Sequence, residues 1–388
     1  MKISDVKVYV VNPPVPDYDN SDERQWTFVQ IDTDEGITGW GEATNYPGGG
    51  SFLTAQAVLR MKDVLIGEDP ANIEPLWHKM YRRYTYLGPR GLPTAAISGI
   101  DIALWDIKGK ALGRPIYDLL GGKFRDEIRL YANGWFAGCS TPEQYAEAAK
   151  RVVASGHDSI KLDPFLEMIP YHTGYVTGQI SAAGEELGCN IVAAIRDAVG
   201  PKVEILIDAH GHYNVPTAVR LANRLYAESR IDWFEEPVPP ESYDALRSVR
   251  EQVHCSICVG ERLFTRWEFL PIFQQRLADY VMPDVVWTGG ISELKRIATM
   301  AEVYYIPVSP HNAMGPLQVV AGAHVMMTVP NFYRLEHSTA AIPAYNQMLS
   351  EPIDFHGNVV QVTGKPGLGV EIDREMLRAQ LHPDSPQR

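Results

Sequence analysis

Residues 203–211 read VEILIDAHG, a short apolar run that ends in an aspartate. Further short apolar runs follow and also end at or next to an acid or a histidine, at residues 231–234, 256–259, 280–282, 306–308 and 332–335. By subtraction of their numbers, these residues follow one another at 23 to 27 positions: Asp208, Glu235, Glu261, Asp284, His311 and Glu336. A strand of about five residues, a helix of about twelve and two short loops fill such an interval. The repeat therefore predicts a parallel (β/α) barrel, whose strand ends carry the ligand-binding residues.

Three successive strand ends carry carboxylates, at Asp208, Glu235 and Glu261. These ends point at one region of the barrel axis, where unpaired charges would repel one another. A hard dication removes the repulsion, and ligands that are all oxygen fit Mg²⁺ first and Mn²⁺ second. The alternative is that Asp208 caps the next turn while the glutamates pair with surface bases. Three acids in register favour the metal site.

The next two strand ends carry Asp284 and His311. Adjacent ends lie close enough for the carboxylate to accept a hydrogen bond from the imidazole, as in an oriented general base. The alternative is a core histidine bonded to a backbone carbonyl. Lys161 ends the second strand, across the barrel from His311, and a lysine beside a dication can lose its proton and act as a base. A salt bridge that anchors a loop is the other role open to Lys161.

Two histidines, His210 and His212, follow Asp208. Positions i and i+2 of a strand share a face, so we expect His210 to point where Asp208 points and to protonate a leaving hydroxyl. The alternative is a loop residue bonded to backbone, and the role of His212 stays open. Glu336 could hydrogen-bond a substrate carboxylate or enolate if it is protonated, as a buried acid in an apolar or negative site is. Its alternative is a salt bridge to a base.

Composition excludes some classes of protein. The 35 Lys and Arg against 48 Asp and Glu give a net charge of −13, which argues against nucleic acid or an anionic membrane as the main partner. The opening MKISDVKVYV reads as a strand, and no apolar run approaches the ~18 residues that span a bilayer. We therefore expect a cytoplasmic protein. Its four cysteines, with the C-x-x-C of Cys255 and Cys258, are expected to be reduced and buried.

The chain of 388 residues is long enough for two domains. We expect a capping domain over 1–125, a barrel over 126–355 and a C-terminal segment over 356–388 that returns to the capping domain. Antiparallel strands are predicted over residues 1 to about 50. Helices are expected near 52–65, 74–83 and 94–112. In the barrel, Thr141-Pro142-Glu143-Gln144 predicts a capping box, and residues 163–181 are too long for an ordinary loop and predict a lid or wall of the site.

Together, these motifs resemble the mandelate racemase subgroup of the enolase superfamily, over nearly the whole chain. The segments that carry the resemblance are DEGITGWGEA at 34–43, SGIDIALWDIKGKALGRPIYDLLGG at 98–122, LIDAHG at 206–211, WFEEPV at 233–238, VGER at 259–262, MPDVVWTGGISE at 282–293, SPHNAMGP at 309–316 and PGLGVEID at 366–373. The resemblance implies an α/β fold, a modified TIM barrel of the (β/α)7β type with an N-terminal α+β capping domain completed by the tail. It also implies metal ligands at Asp208, Glu235 and Glu261, a base dyad at Asp284 and His311, and an electrophilic acid at Glu336.

Two details narrow the resemblance. Racemases of the subgroup carry Lys-x-Lys on the second barrel strand, where this chain has Lys161-Leu162-Asp163. The pair Asp208 and His210 looks like galactonate dehydratase, and YANGWF, KLDPF and HNAMG look similar to gluconate and galactonate dehydratases. The resemblance thus implies a Mg²⁺-dependent acid sugar dehydratase that removes the proton α to the carboxylate of an aldonate or aldarate and expels the 3-OH. The base would be His311, or Lys161 for the opposite configuration, and His210 would protonate the leaving group.

Two rival functions stay open. A sugar-acid epimerase, racemase or cycloisomerase would use the same enolate, and a non-catalytic scaffold would only bind the sugar acid. The full set of ligands, dyad and lysine argues against the scaffold. We expect specificity to come from residues 163–181, from the segment Pro14 to Trp26 and from the loop at Gly48-Gly49-Gly50. Barrels of this family often assemble, so a homo-oligomer is expected.

Overall fold

The computed structural model describes residues 1–15, 24–45, 49–86, 88–168 and 177–387. Its N-terminal part contains an antiparallel sheet of three strands, in the order β1-β2-β3. The strands are β1 (Ile3–Val11), β2 (Trp26–Thr33) and β3 (Thr38–Glu42). The helices of this part are α1 (Gly50–Met61), α2 (Ile73–Arg83), α3 (Leu92–Leu112) and α4 (Ile116–Leu119).

Helix α3 lies directly on β3, and glycine makes this close approach sterically possible. A Cβ atom at Gly41 would lie 1.9 Å from the carbonyl oxygen of Gly99. The helix is buried over most of its length and ends at Gly113, which has a left-handed φ of 64°. Its Trp105 side chain donates to Ser292 of the barrel domain. Helix α3 therefore lies between the two domains.

Seven parallel strands form the barrel sheet in the described residues, in the order β10-β4-β5-β6-β7-β8-β9. They are β4 (Ile128–Asn133), β5 (Ser159–Leu162), β6 (Glu204–Asp208), β7 (Trp233–Glu235), β8 (Ser256–Val259), β9 (Tyr280–Val281) and β10 (Leu335–Ser338). Parallel bridges from Val281 to Val308 and from Val308 to Phe332 close the ring between β9 and β10. The C-terminal ends of all these strands consequently meet at one face.

Two predicted strands differ from the observed ones. The run Ile306–Val308 contributes only a bridge at Val308, and Pro307 within it has no N–H to donate to a ladder. The last strand begins at Leu335 instead of Phe332 and continues to Ser338. Glu336 therefore lies inside a strand instead of beyond its end.

Helices alternate with the barrel strands. They are α5 (Pro142–Ala154), α6 (Ala182–Val199), α7 (Val215–Ser229), α8 (Tyr243–Arg250), α9 (Thr265–Gln275), α10 (Gly290–Val303), α11 (Pro316–Met326) and α12 (Ile342–Gln347). The predicted capping box opens α5, where the Thr141 hydroxyl accepts from the backbone of Gln144 and the Gln144 side chain accepts from that of Thr141. Asn214 caps α7 in a similar way through its side-chain oxygen.

The C-terminal tail contacts both domains. Its hairpin of β11 (Asp354–His356) and β12 (Val359–Gln361) pairs antiparallel with β4 of the barrel. The predicted boundary between residues 355 and 356 thus falls within β11. Farther on, α13 (Arg374–Ala379) leads to Leu381, which bridges to Val11 of the capping domain.

No helix in the described part of the chain is long and apolar enough to cross a membrane. All four cysteines are free, and Cys139 is only half-buried whereas the other three are buried. Cys258 packs inside the barrel with Trp233, and Cys255 packs in the larger core outside it. The C-x-x-C pair therefore points to opposite faces of the barrel wall.

Candidate active site

Three carboxylates gather at the C-terminal ends of β6, β7 and β8. Asp208 and Glu235 end neighbouring strands and are paired in register. Glu261 follows β8 after Gly260, which has a positive φ of 140°. One oxygen of each side chain lies within 4.8 Å of the others, and all three residues are buried. The structure thus brings the predicted ligands together into a triad that could hold a metal ion.

Lys161, from the end of β5, lies among these acids. Its Nζ is 2.5 Å from Glu235 Oε1, 3.2 Å from Asp208 Oδ2 and 2.9 Å from Glu336 Oε1. Burial lowers the pKa of Lys161, but Glu235, Glu336 and Asp208 raise it well above its ordinary value. The side chain is therefore an ammonium ion here, and its single positive charge offsets only part of the negative charge around it.

The two strand-end acids differ in proton affinity. Burial and the charge of Asp208 raise the pKa of Glu235. Burial also favours the neutral form of Asp208, but His210 and Lys161 hold the pKa of Asp208 below its usual range. The acids cannot all ionise freely at this separation without more positive charge, which is the electrostatic signature of a cation site.

His311 and Asp284 form the predicted dyad. His311 Nδ1 lies 2.6 Å from Asp284 Oδ2, so Nδ1 donates to the carboxylate and Nε2 faces the site. Nε2 lies 3.4 Å from Glu261 Oε2 and 3.9 Å from Glu336 Oε2. The ring also stacks on Trp287 at 5.2 Å. Burial lowers the pKa of His311, but the neighbouring carboxylates, Glu336 first, raise it to about 9.

Glu336 is surrounded by hydrogen-bond donors. It accepts from Asn133 Nδ2 at 2.7 Å and from the backbone N–H of Asn312 at 3.0 Å, besides its ion pair with Lys161. Burial raises the pKa of Glu336, but Lys161 and His311 lower it to about 2. The positive charges of Lys161 and His311 thus favour an ionised Glu336 in these contacts, whereas the role predicted from the sequence needs a protonated one.

His210 reaches the site by a different route from the one predicted. Strand β6 ends at Asp208, and His210 lies in a turn with a left-handed φ of 47°. Its Nδ1 lies 2.8 Å from Asp163 Oδ2, and its Nε2 lies 3.4 Å from Asp208 Oδ2. Burial lowers the pKa of His210, but Asp208 and Asp163 raise it to about 8. A second His–Asp pair thus flanks the triad on the Asp208 side.

His212 lines the loop behind His210. It is buried, and its ring lies 5.7 Å from that of His210. Burial, together with the charges of His210 and Arg262, lowers the pKa of His212 to about 3. The ring is therefore neutral at ordinary pH, which favours a structural role over proton transfer.

Three further residues contact the site and are not among those predicted from the sequence: Asn133, Gln318 and Trp233. Asn133 lies at the end of β4. The expectation that strand ends carry the site residues, which predicts Asp208, therefore predicts Asn133 as well. Gln318 donates to Asp284 Oδ2 at 2.7 Å from helix α11, and no sequence signal marks it. Trp233 donates to Glu235 Oε2 at 3.0 Å and stands two residues before it on β7, where strand alternation would have pointed to it.

The capping domain supports the dyad loop through Glu42, at the end of β3. This buried carboxylate accepts from the N–H groups of Gly315, Leu317 and Gln318, at the start of α11. A carboxylate at a helix N-terminus is favourable, and here it fixes the helix from which Gln318 reaches Asp284. The two domains are thereby joined beside His311.

The predicted specificity segments are only partly within the described residues. Residues 169–176 of the predicted 163–181 loop lie outside them, as do residues 16–23 and Gly48. Within the described part, Asp163 Oδ1 accepts from Phe165 N, and a short 3₁₀ helix follows over Leu166–Met168. The start of this loop therefore fixes the carboxylate that holds His210.

Two family models together match most of the chain. Residues 4–121 match the family model of the mandelate racemase / muconate lactonizing enzyme N-terminal domain, and residues 144–376 match that described as enolase C-terminal domain-like. The chain is 34% identical to D-gluconate dehydratase of Thermoproteus tenax over 94% of its own length and 72% of that protein's. It is also 34% identical to D-galactonate dehydratase of Pectobacterium atrosepticum, over 99% and 96% of the two chains.

A solved structure from the enolase superfamily has the same fold as this chain. A member of the enolase superfamily from Salmonella Typhimurium superposes with a TM-score of 0.90 at 33% identity, over 97% of each chain. The predicted fold class, an N-terminal capping domain with a C-terminal barrel-type α/β domain, is confirmed.

Proposed function

The chain belongs to the mandelate racemase and muconate lactonizing enzyme family of the enolase superfamily, and from that premise we propose that it is an acid sugar dehydratase. One observation carries the proposal. Two His–Asp pairs, His311 with Asp284 and His210 with Asp163, flank the carboxylate triad on its two sides. Dehydration needs both a base at C2 and an acid at the leaving hydroxyl, and two oriented imidazoles fit those two tasks.

Asp208, Glu235 and Glu261 would hold the metal. The donor set is all oxygen and buried, which fits Mg²⁺ and also admits Mn²⁺. When bound, the ion would supply charge neutralisation and polarise the carboxylate of the substrate. The raised pKa of Glu235, caused by burial and Asp208, supports this assignment because a group of acids that resists full ionisation is stabilised by a cation.

His311 would take the proton α to the substrate carboxylate. Its Nδ1 is committed to Asp284, so Nε2 is the nitrogen that can accept a proton. Its neighbouring acids keep it protonated at neutral pH in this structure, and its Nε2 must lose that proton before it acts. Added positive charge at the triad favours the loss, since it opposes the carboxylates that raise this pKa.

His210 would give a proton to the departing 3-OH. Burial lowers the pKa of His210, but Asp208 and Asp163 raise it to about 8. The ring is therefore protonated at neutral pH. Asp163 holds Nδ1, which leaves Nε2 on the Asp208 side as the proton donor. Asp163 stands where the Lys-x-Lys pattern has its second lysine. In this proposal it positions the acid His210 and does not act as a second base.

Lys161 and Glu336 would act together on the enolate. Glu336 is ionised in its present contacts, so the ammonium of Lys161 at 2.9 Å is the group that carries a proton. The pair can present this proton to an oxygen of the substrate carboxylate as negative charge develops there.

The substrate class is an aldonate or aldarate, with gluconate- and galactonate-like acids first, and the product a 2-keto-3-deoxy acid. A second candidate, epimerisation through the same enolate, is favoured by two contacts: Lys161 approaches one oxygen of Glu336 and His311 approaches the other. Incubating the protein and Mg²⁺ with a library of aldonates and aldarates, with a keto-acid readout, separates these functions. We expect a keto acid from at least one sugar acid. Inversion at C2 without any keto acid would establish the epimerase, and binding without exchange or turnover would establish a scaffold.

A further inference from the structure

Strand β7 presents an indole N–H directly to one of the triad carboxylates. Trp233 begins this three-residue strand and Glu235 ends it, so their side chains leave the same face of the barrel wall. Trp233 Nε1 donates to Glu235 Oε2 at 3.0 Å. The hydrogen bond lies wholly inside the protein, since Trp233 is 1% exposed and Glu235 is not exposed at all.

The indole ring is fixed by its neighbours. Tyr131 meets it edge-on, with ring centroids 5.6 Å apart and planes at 87°. Tyr280 lies 5.4 Å away on a tilted plane, and Tyr333 lies 6.3 Å away. Such packing leaves the ring few alternative orientations, so the direction of its N–H is set by the barrel interior before any ligand arrives.

The two oxygens of Glu235 have different hydrogen-bond donors. Oε2 is occupied by the indole, while Oε1 lies 2.5 Å from Lys161 Nζ, the group that also approaches Asp208. The carboxylate is thereby held with Oε1 toward Lys161, on the side of Asp208. Without the indole, a buried carboxylate on a strand end could rotate about its last bond.

We infer that Trp233 is a positioning residue for the metal site: through Glu235 it fixes the orientation of a ligand and so raises metal affinity. The inference rests on the proposed role of Glu235 as a ligand. Partners that orient a ligating carboxylate are typically worth about 10- to 100-fold in metal affinity. Trp233 does not contact the reacting atoms, so its effect should be visible without any substrate.

The test is a binding measurement with Mn²⁺ as the probe. Free Mn²⁺ is counted by its electron paramagnetic resonance signal during titration of the full chain, and Mg²⁺ is then added as competitor. Trp233→Phe keeps a buried ring and loses the N–H, and we expect its dissociation constant for Mn²⁺ to rise about 10- to 100-fold. Tyr280→Phe is the matched control, because it alters a neighbour of the same ring without touching the donor. Its affinity should equal that of the wild type.

A second variant guards against a folding defect. Benzothienylalanine at position 233 keeps the shape of the indole and replaces the N–H by sulfur, so it should fold like the wild type by circular dichroism and still lose Mn²⁺ affinity. Wild-type affinity in this variant would overturn the positioning role. Failure of the wild type itself to bind Mn²⁺ would instead overturn the proposed metal site, and so the two failures are distinguishable.

Discussion

Replacing Asp163 by Asn removes the carboxylate that lies 2.8 Å from His210 Nδ1 and keeps the size of the side chain. Burial lowers the pKa of His210, and Asp208 with Asp163 raises it to about 8. At about pH 7.5, an acid of that pKa is roughly three quarters protonated, whereas at the ordinary value of about 6.5 it is roughly one tenth protonated. The acid acts in its protonated form. Burial, the largest of these effects, and the charge of Asp208 both remain in Asp163→Asn, so the pKa of His210 should return to about its ordinary value. Dehydration should therefore fall about eightfold at that pH.

The assay is keto-acid formation by Asp163→Asn across the pH range. Activity that depends on a protonated acid is present below its pKa and is lost as pH rises through it. Because the positive charge of bound Mg²⁺ lowers the pKa of His311, we expect His210 to set the alkaline limb, which should move down by about 1.5 pH units. Asp158→Asn is the matched control, since it makes the same chemical change just before β5 in a half-buried carboxylate that pairs with Arg334. An alkaline limb that stays in place in Asp163→Asn would refute the role of this pair.

Two further variants test the other parts of the site. Glu235→Gln removes one negative ligand, so Mg²⁺ affinity and activity should both fall by far more than one hydrogen bond explains; a protein with unchanged Mg²⁺ titration would disprove the ligand set. His311→Asn should stop exchange of the C2 proton with deuterated solvent as well as turnover. Wild-type exchange in that variant would identify Lys161 as the base and invert the stereochemical assignment.

The strand-end residues could be predicted because barrel topology forces them together. Asp208 and Glu235 stand at the ends of neighbouring strands, and a parallel register brings such ends to the same level. The same reasoning would have added Asn133. The capping box at Thr141 could also be predicted, because both of its hydrogen bonds join residues close together in the sequence.

Other features depend on information that a linear pattern lacks. Strand β10 continues through Glu336, His337 and Ser338, all buried polar residues that a search for apolar runs passes over. His210 owes its position to a left-handed backbone conformation, which residue type alone does not specify. Glu42 meets Gly315 across 273 positions of the chain, so only the folded arrangement of the two domains reveals the contact.

The central claim, that the site dehydrates a sugar acid with His210 as the acid, is tested most directly by one measurement on His210→Asn. Deuterium entry at C2 and keto-acid formation are followed together, in one sample, on the best substrate of the wild type. Exchange needs only the metal site and the C2 base, while dehydration also needs the acid, which is typically worth about 10²- to 10⁴-fold. We expect His210→Asn to exchange the C2 proton at close to the wild-type rate and to form little or no keto acid. Loss of both processes in equal measure, or keto acid at the wild-type rate, would contradict this claim.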